Sequence, residues 1–248
     1  MPLPLFFQGA LAVTEKNIRI YYTKPPVFIF GLLFPLFLFI AFFMGRGLDL
    51  ALFYPGFLAM TLFFTASSVG PIITPWEKRD RTYERLLSYP LTVGSIILGD
   101  ILAGALFGLI ISLVIWAGSL LIFSLPVGNP LLMIVAFVVG TATFATLGTL
   151  LASPASDTPS TVMMLSTLVR LPLIFISGIF IPLSALGGVA RMISYFSPLT
   201  YLVDLFQGAM NGAAVIGAAA DLAALMVFIL LFGAGAVFFQ RRNLMKGL

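Results

Sequence analysis

The 248-residue sequence contains no cysteine and no histidine. Their absence excludes disulfides, thiol chemistry, zinc sites built from Cys or His, haem with a His ligand, and a Ser-His-Asp triad. Charged residues are also scarce, because Asp, Glu, Lys and Arg make up only 9% of the chain, against about 25% in an average soluble domain. So few charged side chains cannot cover the surface of a soluble domain of this size, and that class is excluded.

Apolar residues dominate what is present: they make up 60% of the chain, and the mean hydropathy is +1.13. The long apolar tracts predict an all-α, multi-pass membrane protein with six spans in one transmembrane domain, residues 1–248. Residues 101–156 carry no charge and contain turn formers near their middle, which indicates two spans joined by a tight turn. The predicted spans are residues 27–44, 52–74, 94–123, 131–152, 161–181 and 221–239.

Lys and Arg are unevenly distributed among the predicted loops. Ten of the 13 fall on one side of the membrane if there are six spans: Lys16, Arg19, Lys24, Lys78, Arg79, Arg81, Arg85, Arg241, Arg242 and Lys246. Because loops rich in Lys and Arg stay in the cytoplasm, this pattern predicts that both termini are cytoplasmic in a cell membrane. The pI near 9.6 therefore reflects topology and does not indicate a nucleic-acid partner.

The amino-terminal segment, residues 1–24, is predicted to form an amphipathic helix in the membrane interface. Phe7, Leu11, Thr14, Ile18 and Tyr21 recur at helical spacing, and the polar and basic side chains fall on the other side. The polar side includes Lys16 and Arg19. Two interpretations are open: an anchor contacting membrane lipids, or an anchor that also docks a cytoplasmic partner.

A dense cluster of charge follows the second predicted span. Seven of the nine residues from 77 to 85 are charged: Glu77, Lys78, Arg79, Asp80, Arg81, Glu84 and Arg85. Glu77 and Arg81 have the i,i+4 spacing of a helical ion pair, and Tyr83, Leu86 and Leu87 form a small apolar stripe. Residues 76–90 are thus predicted to form one short amphipathic helix that ends at Pro90. A loop that only sets membrane topology needs a few Lys or Arg. The three acidic residues are additional, and they favour a specific contact with another molecule.

This loop resembles that of type-2 ABC transporter permeases, in which a Glu-Arg, Gly-Thr-x-Glu, Leu and Pro pattern follows the second span. Here Glu77, Thr82, Glu84, Leu86 or Leu87, and Pro90 match the pattern. Arg81 stands where the family usually has Gly, so the turn is expected to be less tight. A second match is the Pro-x-x-Tyr segment formed by Pro198 and Tyr201.

The resemblance implies a homodimeric permease that rests on two cytoplasmic ATPase subunits. The helix at 76–90 would be the coupling helix seated in a groove of the ATPase. ATP and magnesium would bind to that partner, and no cofactor or metal to this chain, which also lacks a Gly-x-x-x-x-Gly-Lys phosphate loop. Residues 182–218 would form short extracellular or re-entrant helices that gate substrate exit at Pro198 and Tyr201.

Two charges fall inside predicted spans, where a charge is costly. Asp100 and Arg170 lie roughly 9 and 14 Å from the cytoplasmic edge at 1.5 Å per residue, so we expect them to pair within the subunit. A shifted fifth span, which would leave Arg170 at the interface, is the alternative. The span-three glycines Gly99, Gly104 and Gly108 are either hinges or, more commonly, sites of close helix packing.

Export of an amphipathic substrate (a drug, a lipid or a lipid-linked glycan) is therefore the predicted function, with ATP hydrolysis on a separate chain. An ion-coupled secondary transporter that uses Asp100 and Arg170 without an ATPase is the alternative. An intramembrane enzyme is disfavoured, because histidine is absent and the carboxylates Asp100, Asp204 and Asp221 look isolated in the sequence.

Overall fold

The computed structural model describes residues 4–22, 24–29, 33–43, 50–89, 91–122, 127–153 and 158–245. Every regular element in these ranges is a helix, which confirms the predicted all-α class for them. In chain order the helices are α1 Leu5–Tyr21, α2 Pro25–Phe28, α3 Phe34–Phe43, α4 Leu50–Arg79, α5 Thr82–Ser88, α6 Val93–Ile122, α7 Pro130–Leu151, α8 Pro159–Phe175, α9 Gly188–Ser194, α10 Pro198–Asn211 and α11 Ala218–Met245.

Four of the described helices are long and apolar enough to cross a membrane. They comprise Leu52–Arg79 of α4, Val93–Leu121 of α6, Pro130–Leu151 of α7 and Ala218–Asn243 of α11, which correspond to predicted spans two, three, four and six. Helix α8 corresponds to the fifth but is shorter, at 17 residues. The first predicted span, 27–44, lies partly outside the described residues, and its described part contains α2 and α3. The six-span count stays a prediction.

Helix α4 lies at the centre of the bundle. It is apolar on all sides, as expected of a helix surrounded by other helices, and its apolar stretch is completely buried. It packs against α6, α7, α8 and α10. Phe63 meets Phe144 of α7 edge to face, with 4.9 Å between the ring centroids, and Phe137 meets Phe206 of α10 in the same way.

Small residues let the central helices approach to backbone contact. A Cβ placed on Gly70 of α4 would lie 2.8 Å from the carbonyl oxygen of Gly148 in α7, and one on Gly148 would lie 2.6 Å from that of Ser67. Gly104 and Gly108 of α6 pack in the same way onto Ala66. Of the two interpretations left open for the span-three glycines, the structure supports close packing, which suits helices held together mainly by van der Waals contact.

The bundle has two chemically different ends. Helices α1 and α5 and the carboxyl end of α11 meet at one, called here the charged end. At the other, the opposite end, α10 covers the bundle: Gln207 donates to the carbonyl of Leu52, and the amide of Asn129 donates to that of Ala209. Helices α9 and α10 lie within the predicted segment 182–218. Their predicted re-entrant placement in a membrane is not decided by this arrangement.

Candidate coupling site

Helix α1 is held against the start of α6 by a face of small residues. A Cβ on Gly99 would lie 2.6 Å from the Cβ of Val13, and the Thr14 hydroxyl donates to the Gly99 carbonyl over 3.2 Å. The predicted apolar stripe is therefore divided: Thr14 and Tyr21 are buried against the bundle, whereas Phe7 and Leu11 are half exposed. Phe7 and Leu11 are left available for a membrane, and the anchoring role of α1 stays a prediction.

Four polar side chains meet where α1, α4 and α6 converge, and we call them the charged-end cluster: Lys16, Asn17, Glu77 and Asp100. The ammonium of Lys16 donates to the carboxylate of Glu77 in an ion pair. The next residue along α1, Asn17, donates through Nδ2 to Asp100 Oδ1 over 2.7 Å. Asn17, Glu77 and Asp100 are all buried. The cluster thus ties α1 to two helices of the core through charge and amide contacts.

The cluster contains one cation and two carboxylates, so its charges are not fully balanced. Glu77 is only 2% exposed, while the Lys16 side chain keeps 23% of its surface exposed. A buried carboxylate that loses its cation is strongly destabilised, although the net contribution of an intact buried pair is small. The Lys16–Glu77 pair therefore acts mainly to fix the position of α1 on α4.

The predicted helix at 76–90 is two elements in the structure. Helix α4 continues through Glu77 to Arg79, a turn follows at Asp80 and Arg81, and α5 begins at Thr82. The predicted i,i+4 pair between Glu77 and Arg81 does not form, because Glu77 faces Lys16 and Arg81 is exposed in the turn. Pro90 lies outside the described residues.

Arg81 adopts the backbone conformation that usually favours glycine. Its φ of 55° and ψ of 20° lie in the left-handed region, the one such non-glycine residue in the described part of the chain. Its amide donates to the Lys78 carbonyl over 3.1 Å. A backbone hydrogen bond thus closes the turn in spite of the Arg-for-Gly departure, and the expectation that it is less tight than in other family members stays a prediction. The strain of about 1 kcal/mol for such a residue is sustained by the anchored elements on either side.

Tyr83 anchors α5 to the rest of the charged end. Its ring is 6% exposed and packs with Val13 of α1 and Ile96 of α6. Its hydroxyl lies 3.4 Å from Gln240 Oε1 of α11, to which it donates. Burial raises the pKa of Tyr83, and the nearby carboxylates of Asp100 and Glu77 raise it further, so the phenol stays neutral. Because Tyr83 contacts all three helices, a displacement of α5 would be transmitted to α1, α6 and α11.

The predicted coupling residues are divided between the interior and the surface. Glu77 is buried and Lys78 half-buried, whereas Arg79, Asp80, Arg81 and Arg85 are exposed. The side chain of Glu84 lies outside the described residues. On α1, Arg19 is exposed and pairs with Glu15 over 2.5 Å. The exposed set forms a charged surface on a firmly anchored turn and helix.

The predicted pair of Asp100 and Arg170 does not form. Asp100 faces α1 and accepts from Asn17, whereas Arg170 donates its guanidinium to the backbone carbonyl of Ser67 in α4. Pro71 explains this partner, because proline has no N–H and cannot bond to the carbonyl four residues earlier, which is that of Ser67. Arg170 is 3% exposed and replaces the missing donor.

This role of Arg170 predicts a coupling with Pro71. An Arg170→Met variant leaves the Ser67 oxygen without its donor and is expected to lose about 2 kcal/mol of stability. In a Pro71→Ala background the restored N–H can take over, so the same change should cost less by about 1 to 2 kcal/mol. Thermal unfolding of the four proteins of this double-mutant cycle measures the difference. Equal losses in both backgrounds would contradict the assignment.

The predicted exit-gate residues lie at the opposite end. Pro198 begins α10, and the Tyr201 hydroxyl donates to the carbonyl of Tyr195 over 2.9 Å. Further along α10, the carboxylate of Asp204 accepts amides of residues 215–217, at 2.8 Å from Val215 and Ile216. It therefore fixes the turn into α11. Asp204 also lies close enough to Asp221 for their carboxyls to interact, so these two are not isolated, contrary to the sequence-based interpretation.

Asn17 and Gln240 belong to the charged end, but neither was predicted from the sequence. Asn17 continues the spacing of Ala10, Val13 and Thr14, so it lies on the face of α1 that packs on the bundle. A polar residue in such a row is a signal that could have been noticed. Gln240 is buried within a carboxyl-terminal segment rich in polar residues, and nothing in its sequence context marks it out.

Comparison with known proteins agrees with this architecture. A family model described as "ABC-2 type transporter" matches residues 8–211. The chain belongs to that family. It is therefore a multi-pass membrane protein and a permease, the membrane subunit of an ABC transporter, as the loop motif indicated.

Three relatives illustrate the similarity. "Nodulation protein J" of Rhizobium leguminosarum bv. viciae is 26% identical over 260 residues, covering 96% of this chain and 90% of that protein. The protein of the same name from Neorhizobium galegae is 30% identical over 84% of this chain and 79% of its own length. "Inner membrane transport permease YadH" of Escherichia coli K12 is 26% identical over 72% of this chain and 69% of its own.

Proposed function

We propose that this ABC-2 permease exports an amphipathic substrate across the inner membrane as a homodimer driven by separate ATPase subunits. The substrate class is a drug, a lipid or a lipid-linked glycan. The observation that carries the proposal is the anchored turn at the charged end, where exposed Arg79, Asp80, Arg81 and Arg85 surround a helix fixed by Tyr83. ATP and magnesium would bind to the partner chain.

The arrangement is mechanically suited to transmitting a movement. A partner that binds the exposed charges and shifts α5 would act through Tyr83 on α1, α6 and α11, and through Glu77 on Lys16. Buried contacts of this kind are stiff, because protein interiors are closely packed and small displacements are passed on. Helices α9 and α10 would open and close the opposite end around Pro198 and Tyr201.

Secondary transport without an ATPase has less support from the geometry. That alternative relied on Asp100 and Arg170 acting together, yet the two side chains bind to different helices. The absence of the pair removes the structural basis for ion coupling at that site. We therefore retain ATP-driven export.

The decisive experiment replaces the exposed charges and measures partner binding. With Arg79, Asp80, Arg81 and Arg85 changed to serine, co-purification of the ATPase subunit should fall by about ten-fold or more. Folding should be unchanged, because all four side chains are exposed. Thermal unfolding of the purified permease checks the second expectation.

A matched control removes another exposed pair at the same end of the bundle. Glu15→Ser with Arg19→Ser should leave ATPase binding intact, which would favour the anchor interpretation of α1 over the docking one. If the variant with four serines still bound an ATPase that drives transport, the proposal would be contradicted. Substrate transport in ATP-free vesicles that contain this chain alone and an ion gradient would also contradict it.

A further inference from the structure

The outer face of α11 carries a groove at its charged end that the transport function does not use. Gln240 and Asn243 hold the inner edge of the helix: Gln240 accepts from Tyr83, and Asn243 donates to the Ser153 carbonyl over 2.7 Å. The rest of this turn faces away from the bundle, with Arg241 and Arg242 exposed. These two cations are therefore directed outward, along the surface that would contact membrane lipid.

The groove follows two neighbouring rows of the helix. Its lining is Gly233, Ala234, Val237, Phe238, Arg241 and Arg242. Each row has i,i+4 spacing. It begins with a small residue, continues with a larger apolar side chain, and ends with an arginine at the carboxyl end of α11. The space has a volume of about 780 Å³ and is open to the outside. Gly233 and Arg241 are eight residues apart, or about 12 Å along the helix.

The charge of the groove is uncompensated within the described part of the chain. No described carboxylate lies within ion-pair distance of Arg241 or Arg242, whereas the exposed Arg19 pairs with Glu15. Guanidinium groups bind phosphate oxygens with two donors, which makes Arg well suited to a phosphate ligand. An apolar groove next to two arginines that have no ion-pair partner among the described residues therefore matches a molecule with a phosphate at one end and a hydrocarbon chain at the other.

We infer that this groove binds an anionic phospholipid of the membrane leaflet at the charged end. Arg241 and Arg242 hold the phosphate, and one acyl chain lies over Gly233 and Ala234, where the small residues leave room. A soluble phosphate would not require the apolar part of the groove, and a soluble acidic protein would have to displace lipid to reach the apolar residues. Basic pockets on the cytoplasmic side of membrane helices are suited to such headgroups.

The test compares two phospholipids on the purified full-length permease. Nanodiscs containing phosphatidylglycerol and phosphatidylcholine in equal amounts supply the lipid, and native mass spectrometry counts the retained molecules. The wild type should retain phosphatidylglycerol preferentially. Arg241→Gln and Arg242→Gln should each reduce that preference about five-fold. Ala234→Leu, which fills the groove and keeps both charges, should reduce it as well.

Controls separate the groove from charge alone and from folding defects. Arg19→Gln removes a paired, exposed arginine and Ala234→Ser keeps the groove open, so both should behave as the wild type. Inorganic phosphate should not displace the lipid. The inference is overturned if the wild type shows no preference for phosphatidylglycerol, or if Ala234→Leu keeps that preference. It is also overturned if inorganic phosphate displaces the lipid, or if the arginine changes alter only the binding of the ATPase subunit.

Discussion

A Gly148→Ala variant is expected to lose about 3 kcal/mol of stability, the upper end of what one added methyl costs in a packed interior. The new Cβ would lie 2.6 Å from the Ser67 carbonyl oxygen and 2.9 Å from its Cα. Both are backbone atoms of the central helix, so they cannot rotate away as a side chain would. The helices must separate, which also disturbs the Arg170 contact to the same carbonyl. Thermal unfolding in detergent measures the loss.

The matched control for Gly148 is Gly118 in α6, where an added Cβ meets nothing within 4 Å. Gly118→Ala should be neutral or slightly stabilising, because alanine favours helix over glycine. Gly70→Ala should resemble Gly148→Ala, since its Cβ would lie 2.8 Å from the Gly148 backbone. If Gly148→Ala unfolds at the wild-type temperature, α4 and α7 do not make the backbone contact described here.

Sequence reasoning could predict where the long helices lie because their ends carry chemical signals. The predicted spans 94–123 and 131–152 match α6 and α7 to within one residue. Asn129 caps α7 through its side chain and Pro130 occupies the first turn, so the turn there is marked clearly. Such signals are local, and a single sequence contains them.

Other helix ends were placed less well, because the edge of an apolar tract is not the end of a helix. The prediction ended span two at 74, yet α4 continues to Arg79 through Pro75. Span six was placed at 221–239, whereas α11 runs from Ala218 to Met245. Polar residues that follow a span can continue its helix outside the apolar region, and hydropathy does not register this.

Partners of the buried charges could not be predicted from depth along the helices. Asp100 and Arg170 were paired because they lie at similar distances from one face, but depth says nothing about the direction a side chain takes around its helix. Arg170 instead satisfies a carbonyl that Pro71 leaves free. Lys16 and Glu77 are 61 positions apart, and their pairing depends on the docking of α1, which needs the tertiary structure.

The Lys16–Glu77 pair predicts an asymmetry between its two neutral variants. Lys16→Met leaves a buried carboxylate without a cation and should cost about 3 to 5 kcal/mol. Glu77→Gln should cost less, because the Lys16 side chain is 23% exposed and its ammonium can be hydrated. Both variants should also weaken stimulation of the ATPase by substrate, since α1 is no longer fixed to α4. Thermal unfolding and ATP turnover of the assembled transporter measure the two effects.

The double variant, Lys16→Met with Glu77→Gln, distinguishes loss of the pair from loss of a side chain. Removing both charges eliminates the unpaired carboxylate, so the double variant should be more stable than Lys16→Met alone. Its ATPase stimulation should nevertheless remain low, because the link between α1 and α4 is absent. Glu15→Gln with Arg19→Gln removes an exposed pair and should change stability by no more than about 0.5 kcal/mol. A double variant with wild-type coupling would show that the buried pair only stabilises the charged end and transmits nothing.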